Sequence, residues 1–173
     1  MHNHKIKGWI LTGSNPELYN LSIDSNTIFS SKPSALISSL EIRENNHFAT
    51  MMQSFKSDKY KGKRVEFSFY FKTENVDSCS AFFCINDNME NIVKWGDLNK
   101  NEIKGSNDWG KYSIVLDVPI NSISIDIGFI LYGEGKLWIN TAQLSEVTNK
   151  YSSTHTNGRP NLSTKPINLN FCE

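Results

Sequence analysis

Cysteine is scarce in this chain. Three occur in 173 residues, Cys79, Cys84 and Cys172, an odd number without a paired CxxC spacing. That count argues against a disulfide framework and fits a reducing cytoplasm. Net charge is scarce as well: 18 Lys and Arg balance 18 Asp and Glu, and the basic residues are scattered rather than striped. Such a surface offers no general attraction for phosphate backbones or anionic lipid, so direct nucleic-acid and membrane partners are not expected. No apolar run is long enough to span a bilayer, and Met1-His2-Asn3-His4-Lys5 leads into polar sequence instead of an apolar signal core. A cytoplasmic location is the expectation.

Catalytic signatures are missing too. There is no Gly-x-Ser-x-Gly elbow, no Gly-x-Gly-x-x-Gly and no Gly-x-x-x-x-Gly-Lys phosphate loop. His2 and His4 sit at the terminus, while His47 and His155 lie in polar stretches without partners at ligand spacing, so no zinc site can be named. Cys79 and Cys84 flank Ser80-Ala81-Phe82-Phe83 and read as buried, inert thiols. Asp24, Glu41, Glu66, Asp126, Glu134 and Glu146 are the carboxylates that glycoside hydrolysis would draw on, but context singles out no pair. No enzyme is expected.

What the chain does contain is alternation of period two. Over 64–72 Val65, Phe67, Phe69 and Phe71 alternate with Arg64, Glu66, Ser68, Tyr70 and Lys72. This is a half-buried strand. Over 122–131 Ile123, Ile125, Ile127, Phe129 and Leu131 alternate with Ser122, Ser124, Asp126 and Gly128, and a slip by one residue would expose the whole apolar row. Residues 112–118 and 137–147 are further β-rich runs, and 8–11, 19–23, 35–42 and 49–55 are shorter ones bounded by turn residues such as Gly13-Ser14-Asn15-Pro16 and Ser30-Ser31-Lys32-Pro33. No long amphipathic helix appears. Short strands at this spacing predict an all-β antiparallel β-sandwich of jelly-roll type. The stretch 86–107 reads as a long polar loop, and 148–165, rich in Ser, Thr, Asn and Gly, as a linker or strap.

Several segments carry a family resemblance: Tyr60-Lys61-Gly62-Lys63-Arg64-Val65, Lys72-Thr73-Glu74-Asn75-Val76, Asp87-Asn88-Met89, Gly105-Ser106-Asn107-Asp108-Trp109, Val115-Leu116-Asp117-Val118-Pro119 and Gly133-Glu134-Gly135-Lys136-Leu137-Trp138. In this order they resemble the galactose-binding-like jelly-roll modules, similar to carbohydrate-binding modules, that occur alone, in tandem or attached to AraC-type bacterial regulators. The resemblance covers most of residues 8–147 and implies the jelly-roll fold. Trp109, after its Gly-Ser-Asn-Asp turn, would close one end of the core. The family's opening Asn-Leu-x-Phe-x-Glu segment is absent at the start, yet Asn168-Leu169-Asn170-Phe171-Cys172-Glu173 stands at the far end. Residues 1–147 are accordingly expected to form the domain, and 148–173 a strap carrying an edge strand at 167–172. That strand would pair within its own chain or by exchange in a homodimer. The resemblance also implies a structural calcium, but Asn140 stands where the family tends to place an acidic ligand, and a neutral oxygen holds a hard cation more weakly. No other cofactor is expected.

Sugar recognition needs a flat aromatic face flanked by groups that hydrogen-bond hydroxyls. Trp95 in the polar stretch, Tyr70 and Trp138 on polar strand faces, and Gln53 and Asp126 as hydrogen-bonding groups are the candidates for a shared groove. The reading is a non-catalytic module for a small neutral ligand such as a saccharide. Two alternatives stand beside it: a cytoplasmic sensor or accessory module associated with transcriptional regulation, and a hydrolase on the same fold.

Overall fold

Where the sequence alternates with period two, the computed structural model forms strands, and it describes residues 6–40, 47–89, 91–98, 103–148, 166 and 168–171. In chain order these are β1 (Ile10–Gly13), one 3-10 turn at Pro16–Leu18, β2 (Tyr19–Phe29), β3 (Lys32–Ser39), β4 (Phe48–Lys56), β5 (Arg64–Asn86), β6 (Ile92–Asp97), β7 (Ile103–Asp117), β8 (Ser124–Tyr132) and β9 (Lys136–Glu146). All pairings are antiparallel.

β5 is 23 residues long, far more than one layer of a small domain can use in a straight line. Its first half pairs with β9 and β7, and its second half, from Ser78, pairs with β8 and β6. The transfer falls at Asn75, whose φ of 51° turns the strand out of one layer and into the other. One layer therefore runs β2-β3-β9-β5-β7 and the other β1-β4-β8-β5-β6, an antiparallel jelly-roll sandwich in which β5 belongs to both.

The odd-numbered rows meet between the layers. Val65, Phe67, Phe69 and Phe71 from one side and Ile125, Ile127, Phe129 and Leu131 from the other are all buried. Phe129 is the hub, with ring centroids 5.5 Å from Phe67, 5.1 Å from Phe69 and 5.7 Å from Phe71. Each such pair adds about 0.5–1.5 kcal/mol beyond area burial. Cys79 and Cys84 are buried as expected, and burial pushes the Cys79 thiol up to about 12.

The expected edge strand at 167–172 lies partly outside the described residues. Residues 168–171 form a turn rather than a ladder, and it docks on the first described segment of the same chain. Trp9 Nε1 donates to the Asn168 carbonyl (3.2 Å), Asn168 Nδ2 donates to the Lys7 carbonyl (3.3 Å), and the buried Phe171 ring lies 5.8 Å from Trp9. Phe171 thus joins the core.

Candidate functional site on the outer face of the β8 layer

Residues directly opposite one another in a ladder share a face, so the register lays out the surface row by row. On the outer face of the β8 layer, one row reads Ser54 (β4), Asp126 (β8), Cys84 (β5) and Trp95 (β6). The next reads Ile10 (β1), Met52, Gly128, Phe82 and Asp97, and the row on the other side Lys56, Ser124 and Asn86. The far end carries Phe48 and Tyr132, their rings 5.9 Å apart. Ile10 and Tyr132 are exposed. The face is thus aromatic and apolar, with a polar patch around Asp126.

Two aromatic rings form its centre. Phe82 lies flat over Gly128, so close that a β-carbon there would stand 2.3 Å from the ring. Only glycine leaves that space. Trp95 runs parallel to Phe82, at 1° and 5.1 Å between centroids, the separation of offset stacking. Its indole Nε1 donates to Asp97 Oδ2 at 2.7 Å, which fixes the ring. A half-buried, oriented indole is the element a pyranose ring stacks on.

Beside it stands the desolvated carboxyl of Asp126, 6% exposed. Oδ2 accepts from Asn86 Nδ2 at 2.9 Å, and the same amide donates to Ser124 Oγ at 3.0 Å. Oδ1 is buried with no hydrogen-bond partner among the described residues. Burial pushes this carboxyl up to about 7, and the Ser54 hydroxyl, one ladder position away, acts in the opposite direction.

The five residues singled out in the sequence do not converge. Trp95 and Asp126 share this face, but Trp95 is on strand β6 and not in a loop. Gln53 is paired with Ile127 and lies in the buried row with Met51 and Phe55, on the opposite side of β4 from Ser54. Tyr70 and Trp138 belong to the outer face of the other layer. There the β2–β3 hairpin bends across them. Trp138, itself buried, donates from Nε1 to Asp24 Oδ2 (2.7 Å), and the Phe29 ring packs at a tilt with its centroid 4.4 Å from Tyr70 and 4.9 Å from Trp109. Trp109 is therefore a half-buried ring beneath the hairpin and not the closure of the core. Asn140 is buried, its Nδ2 donating to the Lys32 and Pro33 carbonyls and to Ser34 Oγ, so the position where the resemblance implies a cation ligand pins the hairpin base. No group of three or more His, Cys, Asp and Glu suited to a metal occurs among the described residues.

Phe82 and Asn86 complete this face beyond the five residues that the sequence suggests. The signal was present, since Ala81, Phe83 and Ile85 point inward and period two then turns Phe82, Cys84 and Asn86 out.

The fold is that of carbohydrate-binding jelly-roll modules. A family 4 carbohydrate-binding module is similar over 83% of this chain and 90% of its own, with a TM-score of 0.55 at 12% identity. A family 61 module solved with β-1,4-galactotriose matches 83% of this chain and 91% of its own, at 0.56 and 10%. No protein-family model matches the chain. In sequence the chain is 35% identical over 170 residues to YbfP, an uncharacterized HTH-type transcriptional regulator of Bacillus subtilis (strain 168). The match takes in 98% of this chain and 58% of that relative. Among the described residues no helix is long and apolar enough to cross a membrane.

Proposed function

We propose that the chain is a non-catalytic binding module that takes a neutral saccharide on the outer face of the β8 layer. The observation that carries this reading is the Trp95 indole, held by Asp97 and stacked on Phe82 beside the hydrogen-bonding pair Asp126 and Asn86. The fold supports it, because solved modules of this architecture are carbohydrate-binding. Hydrolysis would need a second carboxyl facing the first across the scissile bond. The row of Asp126 holds Ser54, Cys84 and Trp95, none of them an acid, and Asp97 in the next row is engaged by the Trp95 indole at 2.7 Å.

The test is isothermal titration with β-1,4-galactotriose, xylohexaose and cellohexaose, on the chain and on Trp95→Ala. At least one sugar should bind, and Trp95→Ala should weaken it at least about tenfold, the loss typical of a central aromatic contact. Binding of none of the three, or binding indifferent to Trp95, would remove the reading.

The Bacillus subtilis relative favours a second reading that is compatible with the first: a cytoplasmic sensor or accessory module associated with transcriptional regulation, with DNA contacted by another region or chain. Co-purification of a helix-turn-helix protein with the tagged chain, dependent on sugar, would support it.

A further inference from the structure

We propose that Asp126 is the specificity-determining residue of this face: its Oδ1 accepts a hydrogen bond from a ligand hydroxyl, so the face selects neutral sugars and refuses uronic acids. The inference rests on the reading of this face as the binding surface.

The geometry singles Asp126 out in two ways. It lies one ladder position from Cys84 and two from Trp95 in the same row, beside the ring on which a sugar would stack. One of its oxygens accepts from Asn86, while the other is buried and makes no hydrogen bond among the described residues, with the Ser54 hydroxyl one ladder position away. A buried acceptor left unpaired is costly, and a hydroxyl supplied by the ligand removes that cost.

The surrounding charges set the sign of the selection. From β4 the groups facing Asp126 are Ser54 and, in the next row, Lys56; from β5 they are Cys84 and Asn86; from β6 they are Trp95 and, in the neighbouring row, Asp97. Its own strand adds Ser124, Gly128 and, farther along, Tyr132, and β1 adds only the uncharged Ile10 and Thr12. Among the described residues a ligand carboxylate would meet two acids, Asp126 and Asp97, against the single exposed Lys56. A hydroxyl donor meets an acceptor.

Burial moves the titration of Asp126 into the neutral range, which gives the proposal a readout that a packing role would not show. Hydrogen bonds to an ionised acceptor are about tenfold stronger in equilibrium terms than those to a neutral one. The experiment measures binding of β-1,4-galactotriose, xylohexaose and an oligogalacturonate of matched length at about pH 5.5 and about pH 8.5, on either side of the Asp126 titration. The full chain, Asp126→Asn and Trp95→Ala are compared. The expected result is a neutral sugar bound about tenfold more tightly at the higher pH, the oligogalacturonate bound at least about tenfold more weakly, and a profile for Asp126→Asn that is flat. A flat wild-type profile, tighter binding at the lower pH, or equal binding of the acidic sugar overturns the role of Asp126 while leaving the Trp95 surface standing. If the wild-type chain binds no neutral sugar at all, the reading of the face falls and this inference falls with it. The wild-type profile alone decides the matter should Asp126→Asn fold poorly.

Discussion

Asp126 sets a carboxyl where folding has stripped water from one of its oxygens, and its stability effect follows from the direction of the shift. Desolvation raises its folded value to about 7, above the ordinary carboxylate range. The folded chain therefore holds this proton more tightly than the unfolded chain. Its contribution is fully present below the unfolded value near 3.8 and is lost as pH rises towards 7. The loss is on the order of 2–4 kcal/mol. In ligand-free protein, Asp126→Asn should remove this slope and melt higher than wild type at mildly alkaline pH, as thermal melts across that range would show. A variant melting in parallel with wild type at every pH would contradict the assignment. At this scale the sequence was partly legible. Alternation gave Asp126 its face correctly. The same rule applied to Ala49, Met51, Gln53 and Phe55 places Gln53 indoors, where its amide character had suggested a ligand contact.

The β2–β3 hairpin shows what an element does that no single residue announces. Its two tip residues, Ser30 and Ser31, both have positive φ (50° and 62°), between the paired residues Phe29 and Lys32. A two-residue turn of that hand is the one Asn-Gly forms with least strain, and serine pays about 1 kcal/mol to sit there. Replacing the pair by Asn-Gly should raise the melting temperature by about 2–4 °C and leave the sugar binding proposed for the opposite layer unchanged. A fall in melting temperature would mean that the serines make contacts worth more than the strain. The hairpin also explains why Tyr70 and Trp138 looked available: period two placed them outside, but it cannot report that a distant turn folds over them. β6 was hidden for a different reason. Its Ile92–Asp97 run is short, lies beside polar loops and alternates around Lys94 and Gly96, so it resembled loop until β5 supplied its partner.

At the scale of the whole molecule, the strands with clean alternation, and the sandwich they imply, were readable because water removal acts on rows of side chains whatever the topology. Pairing order was not, since nothing local says which distant strand is a neighbour. The far end of the chain is similar. Residues 168–171 belong to the core through Phe171 and not through a ladder, so Phe171→Ala should cost about 3–5 kcal/mol and lower the melting temperature by about 10 °C. A melt within about a degree of wild type would mean that this turn is dispensable. β5 has the widest reach. As a single strand hydrogen-bonded on both edges in both layers, it is a shared hinge pin: neither layer can be peeled away without dragging the other's central strand into water. Half a sandwich is therefore not a resting place for this chain, and the proposed binding face is kept or lost together with the hairpin-covered one.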